Sequence, residues 1–151
     1  MKLEPLMTYR ADLKPPVDAG SGPFGHRMIF EVVGGSFEGP RLRGQLLTGG
    51  ADWFLLDDQG VGRLDVRGTF ETDDGAVVYV QYPGVLVMNE KVQAALAAGG
   101  ELAFGDTHFM TQPRFETGDE RYTWLNSVVA VAEGRVLPNA VEYRVFACVN
   151  D

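Results

Sequence analysis

The chain has 151 residues, 45% apolar and 23% charged, and carries a formal net charge of −8 at pH 7. That size and composition fit a single globular domain, residues 1–151, whose core can fold without disulfides or a structural metal. The acidity argues against nucleic acid and against an anionic membrane surface as partners, since both are bound by clustered Lys and Arg.

The first sixteen residues contain Glu4 and Asp12 and no apolar stretch of signal-peptide length. No window reaches the roughly 18 apolar residues of a membrane span. With a single cysteine, Cys148, no intrachain disulfide can form, and a cytoplasmic protein is the expectation. Nineteen glycines and eight prolines cut the chain into short segments, the pattern of strands joined by turns. Strands are expected at 3–13, 27–33, 41–48, 52–57, 61–72, 76–82, 101–115, 124–133 and 140–149, with Lys14–Gly25 as a loop. Alternation is clearest in 61–71, where Leu64, Val66 and Phe70 fall on one side and Arg63, Asp65, Arg67, Thr69 and Glu71 on the other. Thr72-Asp73-Asp74-Gly75 then reads as a hairpin turn in which Asp-Gly supplies positive φ angles. One short helix is expected near 89–98, capped by Asn89, striped by Val92, Ala95 and Leu96, and ended by Gly99-Gly100. Eight to ten strands and one helix point to an all-β fold, a single antiparallel barrel closed on itself.

Three stretches carry a resemblance: GGSFEGPRLRGQLLTGGADW (34–53), LDVRGTFETDDGAVVYV (64–80) and TQPRFETGDERYTWLN (111–126). Together they resemble the uncharacterised bacterial and fungal family named domain of unknown function 3237. The resemblance implies a compact β-barrel-like domain that often self-associates, so a homo-oligomer, dimer or higher, is expected. It implies no particular chemistry. Against the family pattern, Met110 stands where Arg is usual, Gly68 where an aromatic residue is usual, and Tyr82-Pro83-Gly84 in place of a more polar stretch. If those positions line a pocket, the pocket is more apolar and roomier than is typical, which favours a hydrophobic ligand.

The acid–base candidates are Asp52 and His108. Asp52 follows the double glycine of LTGGADW (47–53) and precedes Trp53. A carboxylate desolvated there would have a raised pKa. Strand neighbours point to opposite faces, so Asp52 is expected inside and Trp53 on the other side of the wall. His108 shares a strand face with Leu102, Phe104, Asp106, Met110, Gln112 and Arg114 if 101–115 is one strand, and that mixed face is expected to line the cavity. Asp65 and Arg67, like Arg114 and Glu116, are two apart and can hold a substrate oxygen or carboxylate through the Arg fork. Arg41 is a further anion anchor. Trp53, Tyr79, Met110, Tyr122 and Asn126 complete the expected substrate-binding set. No metal ligand spacing, P-loop, GxGxxG or GxSxG occurs, so neither a metal nor a cofactor is expected. The functional expectation is a cofactor-independent isomerase, cyclase, hydratase or lyase acting by acid–base catalysis on a hydrophobic oxygen-bearing small molecule in a barrel cavity. The alternatives are a non-catalytic binding or carrier barrel and a structural self-assembling module.

Overall fold

A two-residue rhythm of burial writes most of the architecture. Met7, Tyr9 and Ala11 are buried while Thr8 and Arg10 between them are exposed, which makes Lys2–Leu13 strand β1. The computed structural model describes all 151 residues, and the same rhythm continues through it. After β1 come β2 (Val17–Gly22), β3 (Gly25–Glu38), β4 (Arg43–Leu46), β5 (Ala51–Leu56), β6 (Val61–Thr72) and β7 (Val77–Val87). Helix α1 (Glu90–Ala98) interrupts them, and β8 (Phe109–Thr111), β9 (Arg114–Glu116), β10 (Ala130–Leu137) and β11 (Ala140–Val149) follow.

All strand pairings are antiparallel. The ring β1-β3-β5-β6-β7-β8-β10-β11 returns to β1, so eight strands close into a barrel and leave no exposed edge in the ring. The other three strands are additions. β2 folds back on β3, β4 bridges β3 and β6, and β9 pairs with β7 next along from β8. The chain ends meet at one barrel end, where Lys2 lies opposite Val149 and the Met1 ammonium pairs with Asp151 at 2.7 Å.

Aromatic rings fill the interior. Tyr9 lies 4.8 Å from Tyr143 and 5.1 Å from Phe70 between ring centres, and Tyr143 also meets Tyr82 at 5.5 Å and Phe109 at 5.4 Å. Gly134 makes room for two of these rings, since a Cβ there would come within 2.9 Å of Tyr143 and 3.0 Å of Phe109.

The expected hairpin and helix are present, each with a refinement. In the hairpin, the Gly75 N–H donates to the Thr72 carbonyl and the Thr72 N–H to Ala76, and only Gly75 has positive φ, at 90°. This is a type I turn closed by a left-handed glycine rather than a two-residue Asp-Gly turn. In α1, Asn89 caps through the Val92 N–H and Gly99 ends it at φ 63°, and the buried stripe is Val92 and Ala95. Leu96 faces outward.

Three expected segments are corrected. Lys14–Gly25 is not all loop, because β2 pairs with β3 across it. Residues 101–115 are not one strand. Asp106 turns the chain by accepting the Ala103 N–H at 2.9 Å, Gly105 takes φ 89°, and Pro113 offers no N–H to join β8 to β9. Residues 124–133 begin within a 3-10 turn, Glu120–Ser127, capped by Asp119, and β10 starts only at Ala130.

Candidate active site inside the barrel

The LTGGADW stretch is where the sheet admits a carboxylate. Gly49 turns the chain at φ 104°, and Gly50 lies so close to β6 that a Cβ would come 2.6 Å from the Arg67 carbonyl oxygen. The chain then enters β5. Asp52 lies opposite Phe30 and Val66, whose side chains pack in the core, so its side chain shares their inward face. Trp53 lies opposite Ile29 on the outer face and is 41% exposed. The β5–β6 ladder pairs Ala51 with Arg67 and Asp52 with Val66, then resumes only at Leu55 with Arg63. Side chains close the gap: Asp52 Oδ1 accepts the Asp65 N–H at 3.1 Å, and the Arg27 guanidinium donates to the Trp53 carbonyl at 2.6 Å.

Burial pushes the Asp52 carboxyl up to about 7, and the nearby Asp65 charge adds to this. The Asp65 N–H and the Arg27 guanidinium pull the other way without cancelling it. Tyr82 and Tyr143 sit close enough to feel the Asp52 charge. Burial pushes Tyr82 up to about 12 and holds Tyr9 and Tyr143 well above the ordinary phenol value. Two buried hydroxyls, Tyr9 Oη and Thr111 Oγ1, lack a protein hydrogen-bond partner. Tyr9, Tyr82, Val66 and Gly68 border a void of about 20 Å³, room for about one water molecule. Gly68 faces this space, and a Cβ there would meet nothing within 4 Å.

The other expected site residues do not converge on Asp52. His108 is exposed, because the inward face of its segment is Phe109, Thr111, Pro113 and Phe115. Met110 and Arg114 share the outer face with His108. The two-residue period was there, but its bulky apolar set faces in and the mixed set faces out. Asp65, Arg67 and Tyr79 also stand on the outer face of β6 and β7, and neither Asp65–Arg67 nor Arg114–Glu116 forms an ion pair. Asn126 is committed to Thr117, accepting its N–H at 2.8 Å and donating to its carbonyl at 2.9 Å. Arg41 and Tyr122 come together elsewhere, in a groove of about 370 Å³ at one barrel end.

Residues 1–148 match the family described as Protein of unknown function (DUF3237). The chain belongs to this family. Within DUF3237, it is 35% identical over 120 residues to a UPF0311 protein from Rhodopseudomonas palustris, a span covering 80% of this chain and 78% of that protein. A β-barrel-like protein from Acinetobacter baumannii has a similar crystal structure, with 36% identity, a TM-score of 0.83 and coverage of 97% and 94% of the two chains. A crystal structure described as an enzyme from Penicillium herquei shares the fold at 21% identity and a TM-score of 0.71, over 97% of this chain and 94% of that one.

For this DUF3237 chain the interior tyrosines Tyr9 and Tyr143 are residues that sequence reasoning missed, and Tyr82 entered it only within the Tyr82-Pro83-Gly84 stretch. The signal was present in alternation. Tyr9 stands between Thr8 and Arg10, and Tyr143 between Glu142 and Arg144, so each is the apolar member of an inward-facing set. Tyr82 follows Val78 and Val80 in the same way. A carboxyl that titrates near 7 beside phenols that stay protonated can exchange a proton while the phenols donate hydrogen bonds to an oxygen.

Proposed function

We propose that the chain is a cofactor-independent enzyme of the isomerase, cyclase, hydratase or lyase type. It moves a proton on a hydrophobic, oxygen-bearing small molecule, with Asp52 as the acid–base group. The observation that carries this reading is the inward Asp52 carboxyl, pushed up to about 7 by burial at a gap in the β5–β6 ladder. At neutral pH such a group is present in both forms, which suits it to take and return a proton. Tyr82, which stays protonated, is the donor that polarises the substrate oxygen, and the unpartnered Tyr9 hydroxyl is a second donor. The void beside these two tyrosines holds about one water, so a substrate larger than that needs interior side chains to repack. The fold shared with the Penicillium herquei enzyme supports catalysis on this barrel by likeness of architecture alone.

Solvent deuterium provides the test, since no substrate needs to be known in advance. The protein is incubated in deuterated water with a library of hydrophobic ketones, enones and hydroxylated compounds, and mass spectrometry reads enzyme-dependent deuterium uptake or product formation. Wild type is expected to act on at least one compound. Asp52→Asn is expected to slow that reaction by about 10²-fold or more, the usual scale for an acid–base group. Equal rates for wild type and Asp52→Asn would overturn the assignment.

One observation favours a second reading, a structural self-assembling module: the barrel interior is almost filled. That reading predicts no uptake with any compound.

A further inference from the structure

At the barrel end where the chain termini meet, three segments form a polar groove of about 370 Å³: the β3–β4 loop, the β6–β7 turn and the 3-10 turn. Glu38, Arg41, Arg43, Asp73, Asp74 and Tyr122 line it. Most of these charges are already committed. Arg43 pairs with Asp73 at 3.3 Å. Asp74 accepts from Tyr122 at 2.8 and 2.9 Å and from Thr72 at 2.6 Å, and pairs with Arg121 at 3.3 Å. Arg121 is held in turn by Asp119 and by the Asp74 carbonyl. The walls are therefore fixed by one another.

Arg41 and Glu38 are the exceptions, and Arg41 is the one held in place. Its guanidinium carbon lies 3.7 Å from the ring centre of Trp124. That contact fixes the plane of the guanidinium and leaves its N–H edge free, since Arg41 has no ion pair although three carboxylates share the groove. Glu38 likewise has no cationic partner. A stacked, oriented Arg with an unpaired fork is suited to two parallel hydrogen bonds to a planar oxyanion. The acidic walls raise the cost of a second negative charge, and they offer acceptors for a ligand hydroxyl or ammonium.

We propose that this groove binds a small monocarboxylate bearing a hydroxyl or amino group, with its carboxylate on Arg41 and its donor on the acidic wall. The proposal is independent of the chemistry at Asp52.

Trp124 reports on the site. In a Trp53→Phe background, fluorescence is titrated with glycolate, glycine, acetate and inorganic phosphate at constant ionic strength. Glycolate or glycine is expected to give a saturable change with an affinity at least about threefold tighter than that of acetate, and phosphate is expected to bind more weakly than either. Arg41→Gln is expected to weaken the response at least about tenfold while its thermal unfolding stays within a degree or two of the parent. A fold-independent check is a nuclear magnetic resonance titration, in which glycolate should shift the side-chain signals of Arg41 and Trp124. The absence of saturable binding by glycolate and glycine would overturn the proposal. So would an unchanged response in Arg41→Gln, or phosphate binding at least as tightly as glycolate.

Discussion

A carboxyl held near pH 7 inside a barrel makes Asp52, the proposed acid–base group, a liability for stability. Its folded-state pKa of about 7 lies above its ordinary 3.8, so the folded protein holds this proton more tightly than the unfolded chain. Stability therefore falls as pH rises from about 4 to about 7. The shift from 3.8 to about 7 corresponds to a penalty of up to about 4 kcal/mol, fully present above pH 7 and absent below pH 4. Asp52→Asn removes that penalty, and an Asn Oδ1 can still accept the Asp65 N–H. The variant is expected to melt several degrees higher than wild type at pH 8 and within a degree or two of it at pH 4, read by circular dichroism. Identical melting at pH 8 would mean that the carboxyl is not desolvated. A buried carboxyl that carries such a cost is the pattern expected where function opposes stability.

At the scale of elements, the site exists because the turn between β4 and β5, which lie in line between β3 and β6, is tight and one ladder is interrupted. Gly50 lets the LTGG turn lie on β6, and β5 then enters with Asp52 inward. Gly50→Ala places a Cβ 2.6 Å from the Arg67 carbonyl oxygen, a backbone atom that cannot rotate away. Its expected cost is about 1–3 kcal/mol, read by urea unfolding. At the helix, Asn89→Ala removes both the Val92 cap and a hydrogen bond to the Asp106 carbonyl. It is expected to cost about 1 kcal/mol, with faster amide exchange at the start of α1.

Much at this scale was legible in the sequence. β6 and β11 run over the residues that alternation marks, the Asn89–Gly99 caps bound α1, and period two places Asp52 and Trp53 on opposite faces. Alternation alone does not say which face turns inward. That is why His108, Met110 and Arg114 were expected inside although Phe109, Thr111, Pro113 and Phe115 occupy that space. The ladder gap at Trp53 was not legible, because it depends on Arg27 from β3 and Asp65 from β6, which are far from it in sequence. The groove was legible only in its parts, Arg41 and Tyr122. What assembles them is the commitment of Asp74 to Tyr122 and Arg121, a fact of three dimensions.

At the scale of the whole molecule, eight strands wrap one aromatic core, and the acid–base candidate hangs from the wall into it. Such a core links all strands of the ring. Phe109→Ala, at a ring packed on Tyr143 and Gly134, is expected to cost about 3–5 kcal/mol in a single cooperative transition. The central claim is that Asp52 exchanges a proton near neutral pH from inside this barrel. Carbon-13 nuclear magnetic resonance of aspartate side-chain carboxyls between pH 3 and 9 tests it most directly, with Asp52 assigned by its absence in Asp52→Asn. The account predicts one carboxyl titrating with a midpoint of about 7. A midpoint for Asp52 near the ordinary 3.8 would contradict it.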